Sequence, residues 1–453
     1  MQTTMSPIDP RTHDELPPTA GLPARLRDFL PPWRGGFAAQ AAAWLDTDWA
    51  LLTCSGTAAL WIALDALKTL APERHSVVIP AYTCPLVAEA VLRAGLRPRL
   101  CDTAPGHFDL DTQALAGLCD ADTLAVLPTH MGGRVVDVGA AQTIAARVGA
   151  FVIEDAAQAF GARAPTSTGA LASVGLRGDV GFFSYSVGKG LTLYEGGLLI
   201  ARDARVRAAL ELSERRLVHG GAGWNLRRAI ELLGYALLYR PRTLGLVYGA
   251  PLRRALDRDD VIAAVGDRPR HDIPLHRVGR LRQSVGRREL ARYRAHLAVG
   301  HAHAAARAAA LAALPGVRVM RDMPGAIGVW PYLLLELPDV ATRDAALRLL
   351  WRRGLGVTRL FAHALPDYPQ LRGRIESAAL PHARAFAART LTLGNSAWLD
   401  DMRFEIVRTT LQGVLAQTGC AQRDCHGAAS AGHGTPAASA SPSQASAESG
   451  GGG

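Results

Sequence analysis

The stretch GDVGFFSYSVGKGLTLYEGG, residues 178–197, holds a single lysine, Lys189, between two glycines. The chain contains 50 Lys plus Arg, and only Lys68 and Lys189 are lysine. Arginine keeps its proton at any accessible pH, whereas a desolvated lysine amine can lose one and attack a carbonyl. Where arginine supplies nearly all the positive charge, a lysine in a glycine-rich turn is a candidate nucleophile for Schiff-base chemistry rather than a solvated loop charge. Asp155 ends the apolar run FVIED, where an unpaired carboxylate would be costly. Its partner could be an internal arginine or a protonated heteroaromatic nitrogen. In CSGTAAL, Ser55, Gly56 and Thr57 open a helix at a glycine turn. Free N–H groups and the helix dipole make such a turn an anion site, unless Ser55 or Thr57 merely caps the helix. Together the three features point to pyridoxal 5'-phosphate, with Lys189 for the aldehyde, Asp155 for the ring nitrogen and Ser55, Gly56 and Thr57 for the phosphate.

These residues need elements to hold them. DWALLTCSGTAALWIALDAL reads strand, glycine turn, helix, and SVVIPAYTCPLVAEAVLRAGLRPRLCD reads strand, loop, helix, strand. TLAVLPTHMGG, AFVIEDAAQAFG and GFFSYS add short strands. Strands separated by helix-length segments predict an α/β protein with a mostly parallel sheet. Ligands of such sheets sit beyond the carboxyl ends of the strands, where these polar residues fall. Beyond residue 300 the pattern changes to that of a smaller α+β domain, joined by a long arginine- and alanine-rich helix over residues 281–312. The expected layout is a disordered arm over 1–20, a large cofactor-binding domain over 21–300 and a small C-terminal domain over 301–420. A disordered Ala/Ser/Gly tail over 421–453 completes it.

Composition bounds the rest. A chain of 453 residues predicts two domains. The formal charge of +10 suits an anionic small substrate or a membrane surface. No basic run interleaved with stacking aromatics is present, so no nucleic-acid partner is expected. Six cysteines without CxxC spacing fit reduced thiols in a cytoplasmic protein, and no metal site is expected. The N-terminus lacks the basic start and apolar core of a signal peptide.

Over roughly residues 25–420 the sequence resembles the fold type I sugar aminotransferases of the DegT/StrS kind. SGTAAL, IPAYT, THMGG, EDAAQAFGA, GDVGFFSYSVGKGLTLYEGG and GWNLR match that family's blocks in order and at similar spacing. The resemblance implies that Lys189 takes the cofactor aldehyde and Asp155 the pyridine nitrogen. It places Gln158 beside the ring, has Gly56, Thr57 and Ser184 hold the phosphate, and sends Asn225 to the phosphate of a neighbouring subunit, hence a homodimer. His130 of THMGG matches a family position, with a purely structural hydrogen bond as the alternative. The implied reaction transfers an amino group, from glutamate, to a keto-sugar, nucleotide-linked. Other fold type I chemistry and a non-catalytic binding protein are the rivals. Family dehydratases replace the lysine with histidine, which Lys189 argues against.

Two departures stand out. Many members stack an aromatic directly after the threonine of PxxT; here that position is Cys84, with Tyr82 two residues earlier. After GWNLR comes an insertion, residues 228–258, before a helix expected near Val278. Its apolar stretches 229–239 and 243–252, split by Arg240, Pro241 and Arg242, predict a helical hairpin. Each stretch is too short to span a bilayer. The hairpin would pack at a subunit interface, form a shallow membrane foot through 229–252, or close over the site.

Overall fold

The computed structural model describes residues 14–268, 272–376 and 378–430, the last stretch with side chains to 418. Seven strands form the central sheet: β1 (Leu51–Thr53), β2 (Ser76–Pro80), β3 (Arg97–Cys101), β4 (Thr123–Val126), β5 (Phe151–Asp155), β8 (Val180–Ser184) and β9 (Gly197–Ile200), in the order β1-β9-β8-β5-β4-β2-β3. β6 (Arg163–Pro165) and β7 (Leu171–Ser173) make a separate small hairpin. Pairing is parallel from β3 through β2, β4 and β5 to β8. β9 is antiparallel to both β8 and β1, so it alone runs against the other six. β2, β4, β8 and β9 are buried along their whole length, as a sheet with both faces covered requires.

This topology brings the carboxyl ends of six strands to one edge. The helix Gly56–Leu70 starts just past β1, and the helix Pro85–Arg93 just past β2. Pro85 at the first helical position of the latter suits an N-terminus, because the missing N–H has no helical partner there. The long helix Arg280–Ala312 leads to a second, antiparallel sheet of β10 (Arg318–Val319), β11 (Tyr332–Glu336), β12 (Val357–Thr358) and β13 (Thr390–Gly394), in the order β10-β11-β13-β12. The α/β class, the long helix and the smaller α+β unit match the sequence reading. β9 and β13 were not anticipated, since their short apolar runs carry no period that separates strand from neighbouring structure.

The arm expected over 1–20 differs from what is seen at residues 14–20. Leu16 is buried and bridges to Leu355, Glu15 pairs with Arg253 at 2.7 Å, and Ala20 N donates to Pro331 O at 2.7 Å. This segment gains order from tertiary contacts that its own polar, proline-containing sequence does not announce. At the other end the helix Asp401–Ser430 carries the backbone through 421–430, placed in the tail by composition. Residues 1–13 and 431–453 of the expected arm and tail lie outside the described residues.

The insertion folds as helices. Ala222–Leu238 is one, then Pro241–Leu244, a π-helical turn Gly245–Gly249 and Ala250–Leu256. Arg240, held extended by the following proline, makes the break. Among the described residues no helix is long and apolar enough to cross a membrane.

Candidate active site

Lys189 sits on the turn after β8, its N–H donating to Ser186 O at 3.2 Å. The flanking glycines are required by geometry. Gly188 and Gly190 have φ of +84° and +87°, where side chains are strained. A Cβ on Gly188 would lie 2.5 Å from Thr19 Oγ1, and one on Gly190 would lie 2.4 Å from the Tyr293 hydroxyl. The turn thus presents Lys189 to a cavity of about 690 Å³ at the carboxyl edge of the sheet. Burial lowers the pKa of its amine, opposed by the negative charge of Asp155 and Asp267. Cys84 faces the same amine, but burial pushes its thiol up to about 11, so it is neutral at pH 7. The other lysine does ordinary structural work: Lys68 Nζ donates to Ala94 O at 3.2 Å, at the end of the Pro85–Arg93 helix.

Asp155, the last residue of β5, is 5% exposed and lines this cavity. Its Oδ1 accepts one hydrogen bond, from Ala157 N at 3.0 Å. Burial raises its carboxyl pKa to about 6, with the Ala157 N–H, Lys189 and His130 pulling the other way. A carboxylate so poorly compensated favours a cation within the cavity. The alternative of an internal arginine is not met, since no arginine pairs with it among the described residues.

The anion end forms where the ends of β1 and β8 meet. Ser55 caps the Gly56–Leu70 helix, its Oγ accepting from Ala58 N at 3.0 Å, so this hydroxyl serves the helix first. The Gly56 and Thr57 N–H groups have no acceptor within the helix. A Cβ on Gly56 would lie 2.8 Å from Ser184 Cβ, so only glycine lets the helix start approach the end of β8. Ser184 Oγ sits 3.1 Å from Ser186 Oγ, and both serines line the cavity. A lysine amine, a carboxylate in need of a cation and a helix N-terminus around one cavity fit pyridoxal phosphate.

Gln158 also lines the cavity, its Oε1 accepting from Gly132 N and the Tyr332 hydroxyl, both at 2.6 Å. His130 has a structural engagement. Its Nδ1 accepts from Val136 N at 3.3 Å, which places the ring proton on Nε2, 3.0 Å from Glu154 Oε2. Glu154 also accepts from Gly175 N, Arg177 N and Gly178 N at 2.6–2.9 Å. Burial would raise its pKa, but His130 and these N–H groups outweigh that and hold it low. Glu154→Gln puts an amide donor among four donors, so we expect a loss of about 2–4 kcal/mol in stability, read from the shift in denaturant midpoint.

One expected cofactor contact, Tyr82, is placed differently. Tyr82 does not reach the cavity: it is fully buried, edge-on to Phe361 at 5.5 Å and Phe386 at 5.4 Å, and belongs to the core. The bends over residues 81–83 break the strand alternation that would put residues 82 and 84 on one face, so Tyr82 turns inward while Cys84 lines the cavity. Asn225, at the start of the Ala222–Leu238 helix, is not part of its own chain's cavity wall. Its Oδ1 accepts from Gly279 N at 2.8 Å and Arg282 at 3.2 Å.

The sequence reading missed Asp267. Its carboxylate accepts from Ala362 N at 2.9 Å and from the Tyr368 hydroxyl, and it faces Lys189 across the cavity. Burial raises its pKa. Nothing local marks it, because it lies between the insertion and the long helix and reaches the site only by folding back. Arg228, paired with Glu195 at 2.5 Å, and Tyr194, at φ +64°, are further wall residues.

This architecture is that of fold type I, the fold of aminotransferase-like proteins. Solved structures bear out the fold: DesV of S. venezuelae, at 24% identity, aligns over 85% of this chain and 89% of its own with a TM-score of 0.63. Helicobacter pylori PseC, at 14% identity, aligns over 89% and 100% with a TM-score of 0.69. The model of the DegT/DnrJ/EryC1/StrS aminotransferase family matches residues 34–227. Among curated relatives, GDP-perosamine synthase of Caulobacter vibrioides is 35% identical over 158 residues, 35% of this chain and 41% of that protein. The dTDP-3-amino-3,4,6-trideoxy-alpha-D-glucose transaminase of Streptomyces venezuelae is 31% identical over 207 residues, 44% of this chain and 53% of that protein. The matches thus span about half or less of these relatives' length.

Proposed function

We propose that the protein is a pyridoxal phosphate-dependent aminotransferase that moves an amino group from glutamate to a nucleotide-linked keto-sugar, working as a homodimer. The observation that carries this reading is Lys189 held by glycine geometry in the same cavity as Asp155, a buried carboxylate that lacks a cation. The cofactor, when bound, supplies an aldehyde carbon that takes up amines and a ring that accepts electrons. Lys189 would hold the cofactor through its aldehyde carbon, and its amine, once free, would be the base that carries a proton at the donor Cα. Asp155 keeps a proton on the ring nitrogen. The Gly56 and Thr57 N–H groups and the Ser184 hydroxyl bind the phosphate, and Gln158 lies beside the ring. Asn225, outside its own chain's cavity, serves the phosphate of the second subunit. Arg227, Arg228 and Arg268 at the cavity wall suit the diphosphate of a nucleotide sugar, the class named in the relatives above.

The test is spectroscopic and then preparative. The visible absorbance of the loaded protein should bleach on adding glutamate, and a panel of nucleotide keto-sugars should restore it with formation of an amino sugar. A band that ignores every amino donor would mark a binding protein without turnover.

A further inference from the structure

The insertion leaves an apolar stripe uncovered. Leu226, Ile230, Leu233 and Leu237 follow one another at spacings of four, three and four along the Ala222–Leu238 helix, and are 40–65% exposed. Leu246 and Val247 on the π-helical turn are 71% and 50% exposed. The short turn Leu26–Phe29, packed beside this helix, adds exposed Leu26, with Leu30 and Trp33 following it. Uncovered apolar surface of this extent marks an interaction site.

Charge says what covers it. Residues 222–258 contain seven arginines against Glu231 and Asp257, a net charge of +5. Arg227 and Arg228 are engaged by Glu231, and Arg253 by Glu15. Arg240, Arg242, Arg254 and Arg258 are exposed and have no acidic partner among the described residues. Asn225, at the start of this helix, is given to the second subunit of the proposed dimer; a second copy seated further along the insertion about a twofold axis would set Arg240, Arg242, Arg254 and Arg258 against their own copies. An anionic bilayer surface complements it, and a leucine stripe edged by arginines is what an interfacial helix presents to a headgroup layer. Behind the stripe a recess of about 560 Å³ is walled by Leu238, Leu244, Val247 and the stacked rings of Tyr235 and Tyr239. Both of these tyrosine hydroxyls are already engaged, donating to Leu22 O and Thr19 O, and the wall of the recess is mostly apolar.

We infer that the insertion docks the enzyme on the surface of an anionic phospholipid membrane, the Ala222–Leu238 stripe lying in the headgroup layer and the recess taking an acyl chain. The inference goes beyond the aminotransferase reading and does not depend on it. The full chain, loaded with cofactor, is sedimented with phosphatidylcholine vesicles with or without phosphatidylglycerol. It should pellet with the anionic vesicles, and salt should weaken the attachment. Arg240→Glu with Arg242→Glu should lower partitioning by at least about tenfold, and Leu233→Glu with Leu237→Glu should abolish it. Circular dichroism melts, oligomeric state by light scattering and turnover should be unchanged in both. The inference is overturned if the native chain stays in the supernatant with anionic vesicles. It is equally overturned if the leucine variant dissociates an oligomer, which would make a second copy the occupant.

Discussion

Lys189→Arg should abolish amino transfer while leaving a folded chain. The charge is retained, but a guanidinium does not give up its proton to attack the aldehyde, so the rate should fall by at least about 10³-fold. The assay must contain no added small amines, which could stand in for the missing one. Folding should be little affected, since the constraints on the turn lie in Gly188, Gly190 and their neighbours Thr19 and Tyr293 rather than in the lysine. A variant with appreciable turnover would remove Lys189 from the chemistry and with it the aminotransferase reading. Lys68→Arg is the control: its contact with the Ala94 carbonyl needs only a donor.

Asp155→Asn should separate activity from stability. With the carboxylate gone, the ring nitrogen no longer holds its proton and the electron-accepting character of the ring weakens, so turnover should drop by about 10³-fold or more while cofactor still binds. Stability of the cofactor-free protein should move the other way. Burial raises the Asp155 pKa from 3.8 to about 6, so the folded chain binds this proton more tightly than the unfolded chain. Its contribution is full below the unfolded value and is lost as pH rises through about 6. At pH 7 the wild-type protein without cofactor therefore bears an uncompensated buried carboxylate that the asparagine variant lacks. The variant should melt higher, by about 1–3 kcal/mol in stability, with the difference vanishing near pH 4. Near-normal rates in Asp155→Ala would move the site elsewhere.

Much of the site was legible in the sequence because its chemistry rests on local patterns. A lysine among arginines, a carboxylate at a strand end and a glycine at a helix start each mark a candidate position through composition and the backbone they require. Ser55, Gly56, Thr57, Cys84, Asp155, Gln158, Ser184 and Lys189 do share one cavity wall. The strand and helix periods likewise gave the α/β class and the long helix Arg280–Ala312. What only the tertiary structure decided depends on which face a residue turns and what a distant segment brings. Tyr82 and Cys84 are two apart in the bent connection between sheet and helix, and packing of Phe361 and Phe386 settles that the tyrosine faces the core. Asp267 joins the site from a connection whose path no local pattern fixes. Residues 14–20 are polar and proline-containing, yet Leu16 is held by Leu355 and Glu15 by Arg253, partners more than two hundred residues away. Local propensity reports a residue's preferred backbone and solvent, but long-range packing determines which of its neighbours it meets.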